Sequence, residues 1–195
     1  MSAATHAAPI TVGYGMLDAD DDRQADEYEE HFYRGYSRLR DNTLVRLIWD
    51  WDDDRQRVRT RIPYEDQVIY TERDGDGRLV AAMAVSLGYP AAFQSEGFGF
   101  APPGGAVDAG GRYCEILNMM TTPHQRATAR AMYGSFVRGF GFSDLVGRGF
   151  EVAYSTCTQR RLRTYERAGA RPLARASISG EDRFFLHWPI RDLAS

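Results

Sequence analysis

The stretch Glu115-Ile116-Leu117-Asn118-Met119-Met120-Thr121-Thr122-Pro123-His124-Gln125-Arg126-Ala127-Thr128-Ala129-Arg130-Ala131 decides the fold. Its first part, 113–121, is apolar and reads as a strand. Pro123 breaks that strand and begins a helix, which Met132, Phe136 and Phe140 continue at a spacing of four. A helix start presents unpaired backbone N–H groups and a partial positive charge, and so offers a place for a phosphate.

Working outward, residues 150–156 read as the next strand and 159–168 as a short helix that Gly169 stops. Residues 171–179 and 183–188 close the chain as an antiparallel pair turning near Gly180. Upstream, 67–72 and 79–87 are strands joined across Asp74-Gly75-Asp76-Gly77, a strong hairpin signal. Residues 10–16 are a candidate first strand. Asp18–Asp22 suits a helix N-terminus, and Tyr28, Phe32, Tyr36 and Leu39 then recur at helical spacing. That aromatic stripe reads as core, on one helix or on a broken pair reaching Leu47. The charge-rich segment 49–61 reads as a loop. Residues 88–112 form a long irregular stretch whose Phe93, Phe98 and Phe100 fit either a substrate-covering loop or a surface loop pinned by apolar anchors. The whole, 1–195, is expected to be one domain with a flexible 1–9, of α/β (α+β) class, with one mixed and mostly antiparallel sheet flanked by helices.

Composition narrows the chemistry. All 24 basic residues are arginine, and net charge is −3. Without lysine, Schiff-base enzymes and Walker-type nucleotide sites are excluded. The charge disfavours nucleic-acid binding, and no apolar run approaches a membrane span. The N-terminus lacks the basic and apolar regions of a signal peptide, so a cytoplasmic protein is expected. Cys114, Cys157 and the four histidines show no metal-ligand spacing, so no metal site is expected.

The pattern Pro123-x-x-Arg126-Ala127-x-Ala129-x-Ala131 resembles the Pro-x-x-Arg-Gly-x-Gly-x-Gly/Ala element of GNAT acyltransferases, with alanines for glycines. Thr158, then Tyr165-Glu166-Arg167-Ala168-Gly169-Ala170, resembles the Asn and Tyr-Glu-x-x-Gly-Phe that follow in that superfamily. Tyr165 and Gly169 fit, while Thr158 and Ala170 depart. The N-terminal half, through Arg38-Leu39-Arg40, Trp49-Asp50, Tyr64-Glu65-Asp66, Tyr70 and Glu115, is similar in order to acyl-homoserine-lactone synthases and N-acyl amino acid synthases. Ala84 or its neighbours, and Asn118, stand where those enzymes have arginines, which argues against a lactone product.

The resemblance implies a GNAT fold whose fourth and fifth strands splay apart. It also implies an N-acyltransferase of specialised metabolism that takes an acyl group from a pantetheine thioester. Glu115 is the candidate base and Tyr165 the candidate acid. An ordinary strand carboxylate and a packed helix tyrosine are the plain alternatives. Met119, Thr121, Arg126, Ala127, Thr128, Ala129, Arg130 and Thr158 are candidates for holding the pantetheine and its phosphate. Backbone N–H groups from Met119 to Thr121 would polarise the carbonyl if the strand bulges there. No tightly bound cofactor is implied; the cosubstrate is an acyl-phosphopantetheine on a carrier protein, or acyl-coenzyme A. Alanine methyls at 127 and 129 crowd a pyrophosphate, which favours the carrier protein. Arg126, Arg130, Arg160, Arg161 and Arg163 offer an acidic carrier a basic surface, or are simply solvated. The acceptor is a small-molecule amine. Acetyl-coenzyme A-dependent acetylation and a non-catalytic thioester- or partner-binding module remain the competing readings.

Overall fold

The computed structural model describes residues 13–39, 42–88, 93–103, 112–121 and 132–194. Its centre is a seven-stranded sheet built on β4 (Gln67–Arg73), β5 (Leu79–Ser86), β6 (Tyr113–Thr121) and β7 (Val152–Thr158). With β1 (Gly13–Met16), β8 (Arg171–Ile178) and β9 (Glu181–Trp188), the order is β1-β4-β5-β6-β7-β9-β8. Among the described strands of this sheet only the β6–β7 pair is parallel. The sheet is therefore mixed and mostly antiparallel, as expected.

Each face has its own cover. On one face α1 (Asp22–Tyr36) lies across β5 and β6. The Asp21 carboxylate caps its start by accepting from the Arg23 and Gln24 amides. Tyr28 and Phe32 are buried from this helix beneath Val45 and Trp49, which realises the aromatic stripe as core. The stripe belongs to a broken pair: α1 ends at Tyr36, Leu39 is exposed, and α2 (Thr43–Ile48) follows. Gly35 leaves room for Met120 of β6 against α1, because a Cβ there would overlap the Met120 side chain. The opposite face carries α3 (Met132–Phe142), wound in wide π-type turns, then α4 (Ser143–Gly147), α5 (Gln159–Arg167) and α6 (Ile190–Leu193). Phe136, Val137, Phe142, Leu145 and Ile190 pack there on Cys114, Ile116 and Ala153.

One sequence reading needs correction. The segment 49–61 is a hairpin, not a loop: β2 (Trp49–Asp52) pairs with β3 (Arg57–Thr60). Its alternation of Trp49, Trp51 and Val58 with charged residues is a strand period that the run of aspartates hides. The terminal hairpin turns through Ser179 and Gly180, both at positive φ, the geometry that favours a two-residue connection.

Candidate functional site

Strand β6 changes character halfway along. Tyr113 to Ile116 pair in parallel with Val152 to Ser155, and that pairing then stops. β6 continues to Thr121 on β5, while β7 continues to Thr158 on β9. The two strands thus part into a slot, and on both walls the facing backbone has no strand partner among the described residues. At the fork β6 carries a bulge: Ala84 faces Asn118 and Val85 faces Ile116, so Leu117 is the extra residue. The bulge was expected from Met119 to Thr121 and falls two residues earlier. It places both Leu117 and Asn118 on the α1 face and returns Met119 to the α3 face.

Residues from both faces meet at this slot. Tyr165 on α5 lies against Trp188, with ring centroids 5.5 Å apart, and against Tyr133 of α3 at 6.0 Å. The Tyr133 and Tyr165 hydroxyls are hydrogen-bond partners. Burial raises the Tyr165 pKa, while Arg161, Tyr133 and Arg183 hold it down. Tyr36, at the end of α1 on the other face, is raised by burial and feels Tyr165, Arg183 and Arg161. Thr158 sits half-buried at the end of β7, just before α5, and Thr121 at the end of β6. Met119, Thr121, Thr158 and Tyr165 therefore border the slot. Pro123, Arg126, Ala127, Thr128, Ala129 and Arg130 lie outside the described residues, as do 89–92 and 104–111 of the long irregular stretch.

Glu115 lies on the paired half of β6 and is sealed in, 1% exposed. Its carboxylate accepts from the backbone N–H groups of Gln94 (2.6 Å) and Ser95 (2.9 Å), at the start of a short 3-10 helix over Gln94–Phe98. Burial pushes its pKa up to about 8, against the pull of these bonds. Gln94 also accepts from the Trp49 indole, and Phe100 stacks on Phe185 at 5.4 Å. The described part of the irregular stretch is thus fastened down by Phe93, Phe98, Phe100 and Glu115. Cys114 points to the opposite face, is wholly buried, and has its thiol pushed up by burial; Cys157 is pushed up to about 12. Neither is a ready nucleophile. Among the described residues no group of three or more His, Cys, Asp or Glu is arranged to hold a metal, and no helix is long and apolar enough to cross a membrane.

Sequence reasoning missed Tyr36, Tyr133 and Arg183 as neighbours of the slot. Tyr36 carried the period of a core stripe, and nothing local distinguishes its position at the open end of α1.

No protein-family model matches this chain, and no curated protein matches it in sequence. Solved structures do. TofI, in a ternary complex with an inhibitor and MTA, superposes with a TM-score of 0.64 at 17% identity, over 92% of this chain and 91% of that one. The CoA-dependent acyl-homoserine lactone synthase BjaI, with SAM and isopentyl-CoA, gives 0.65 at 16% identity, over 92% and 86%. The ribosomal-protein-S18-alanine N-acetyltransferase from Escherichia coli gives 0.55 at 12% identity, over 92% and 94%. The chain has the GNAT fold of these structures.

Proposed function

We propose that this protein is a cytoplasmic, single-domain N-acyltransferase that moves an acyl group from a pantetheine thioester to a small amine. The observation that carries this is the slot itself. Where β6 leaves β7, backbone N–H and C=O groups on both walls have no strand partner among the described residues, and an extended pantetheine arm is an amide chain able to pair with them. N–H groups beyond the Leu117 bulge that have no partner among the described residues would polarise a thioester carbonyl placed beside them and hold the oxyanion of the tetrahedral intermediate.

Tyr165 then serves as the acid. Its raised pKa keeps it protonated at neutral pH, and it gives its proton to the departing thiolate as the C–S bond breaks. The amine nitrogen forms the new C–N bond and loses a proton to a base. Glu115, with a carboxyl near pH 8, has a suitable affinity for that proton. In the described arrangement the proton reaches it only if water enters beside Gln94 and Ser95. Exposed Arg160, Arg161, Arg163 and Arg167 on α5 favour an acidic carrier protein as the source of the thioester over free acyl-coenzyme A.

Free thiol released from acyl-coenzyme A and from acyl carrier protein, with and without an amine, tests this reading. Amine-dependent release is expected, faster from the carrier protein. Tight binding of either donor without turnover would leave a binding module.

A further inference from the structure

We propose that Tyr133 is a positioning residue for the acid: its hydroxyl holds the Tyr165 phenol in place and steadies the phenolate left when the proton goes to the departing thiolate. This rests on the acyl-transfer reading above. The two residues come from separate helices on one face of the sheet, Tyr133 from the first turn of α3 and Tyr165 from α5. Their rings meet edge to face, at 70° with centroids 6.0 Å apart, and their hydroxyls are hydrogen-bond partners. Tyr165 also packs against Trp188, which is itself fixed. The Trp188 indole N–H donates to the buried Ser155 hydroxyl at 2.9 Å, and its ring meets Phe142 of α3 at 5.9 Å. Trp188 therefore braces the Tyr165 ring, while Tyr133 reaches its oxygen. Arg161 lies four residues before Tyr165 on the same side of α5. Its charge acts on both tyrosines.

Proton transfer leaves a charge to hold. As the C–S bond breaks, its electron pair goes to sulfur, the Tyr165 O–H bond breaks and an S–H bond forms. Tyr165 is then a phenolate. A phenolate oxygen only accepts, so in that state Tyr133 is the donor. A hydrogen bond to an ion is roughly twice as strong as one between neutral groups, so this contact tightens as the reaction proceeds. Burial works the other way: it raises the Tyr165 pKa and makes the proton harder to give. Tyr133 and Arg161 oppose that burial at the oxygen where the charge appears. Solvent water returns a proton to Tyr165 before the next turnover.

The test varies the leaving thiol. Thiol release is followed from acyl-pantetheine and from an analogue whose arm ends in an aromatic thiol, for the wild type, Tyr133→Phe, Tyr165→Phe and the double variant. An aromatic thiolate leaves without a proton, so the acid serves the alkyl thioester alone. Tyr133→Phe keeps the ring and loses only the oxygen. It is expected to lower the ratio of alkyl to aromatic kcat by roughly 10- to 100-fold. That ratio, taken within one preparation, does not depend on how much of it is folded. The double variant should be no slower than Tyr165→Phe. A ratio unchanged in Tyr133→Phe but lowered in Tyr165→Phe overturns the proposal while acyl transfer and its acid stand. So does a further loss in the double variant, which would give Tyr133 a role apart from Tyr165. A ratio unchanged in Tyr165→Phe removes the acid assignment and the proposal together. No thiol from either donor with any amine overturns the acyl-transfer reading itself, and the proposal with it.

Discussion

From Tyr113 to Ile116, β6 has a strand on each side; from Leu117 to Thr121 it has β5 alone among the described strands. The paired half holds Glu115, sealed in and bound by two backbone N–H groups. The open half faces Tyr165, Tyr133 and Tyr36, held by helices on both faces. One strand thus serves two ends. A single bulged residue, Leu117, ends the parallel ladder, and the paired half supplies the rigidity that keeps the open half from closing on itself.

The largest expected effect lies in the open half. Tyr165→Phe should lower kcat by roughly 10²- to 10⁴-fold with little change in KM for the thioester or in thermal stability. Steady-state thiol release and a melting curve check both. In the closed half, Gly88→Ala should cost about 1–3 kcal/mol in denaturant unfolding. Gly88 has φ +87°, and a Cβ there would sit 2.8 Å from the Tyr113 carbonyl oxygen.

Glu115→Gln sharpens the contrast by separating holding from catalysis. The amide can accept one of the two N–H bonds but presents its own N–H to the other, a loss of about 1–3 kcal/mol. The pH dependence has a definite sign. The folded carboxyl titrates near 8 against an ordinary value of 4.5. Its contribution to stability is therefore full below about 4.5 and is lost as pH rises through about 8; the Gln variant should lack that decline. If Glu115 is also the base, wild-type kcat/KM rises with pH and levels off above about 8. A flat profile removes it from the chemistry and leaves it as an anchor. The smallest effect belongs to His31, buried on α1 and lowered by burial from 6.5 to about 4. Its contribution is present above about 6.5 and lost as pH falls through about 4, so His31→Gln should flatten the acid limb of the melting-temperature profile.

Much of this architecture was legible in the sequence because it is written locally. The Asp74–Gly77 turn, the β-rich run 113–121, the Gly169 stop and the Gly180 turn each state their geometry within a few residues. Tyr165 and Glu115 were singled out by motif. The hairpin at 49–61 was hidden because its aspartates weigh more in composition than the alternation of Trp49, Trp51 and Val58. The fork between β6 and β7, its bulge, and the meeting of Tyr36 with Tyr165 depend on tertiary register, which no local pattern carries. Likewise, nothing in the sequence reveals that Glu115 is capped by Gln94 and Ser95, 20 or more residues away.

Amide hydrogen exchange, read residue by residue along β6 with and without an unreactive thioether analogue of acyl-pantetheine, tests the central claim most directly. If the slot receives the pantetheine arm, the amides of residues 117–121 that point away from β5 slow by at least about tenfold on binding, while those of 113–116 stay as they are. Binding of the analogue with no change at 117–121 would contradict the account.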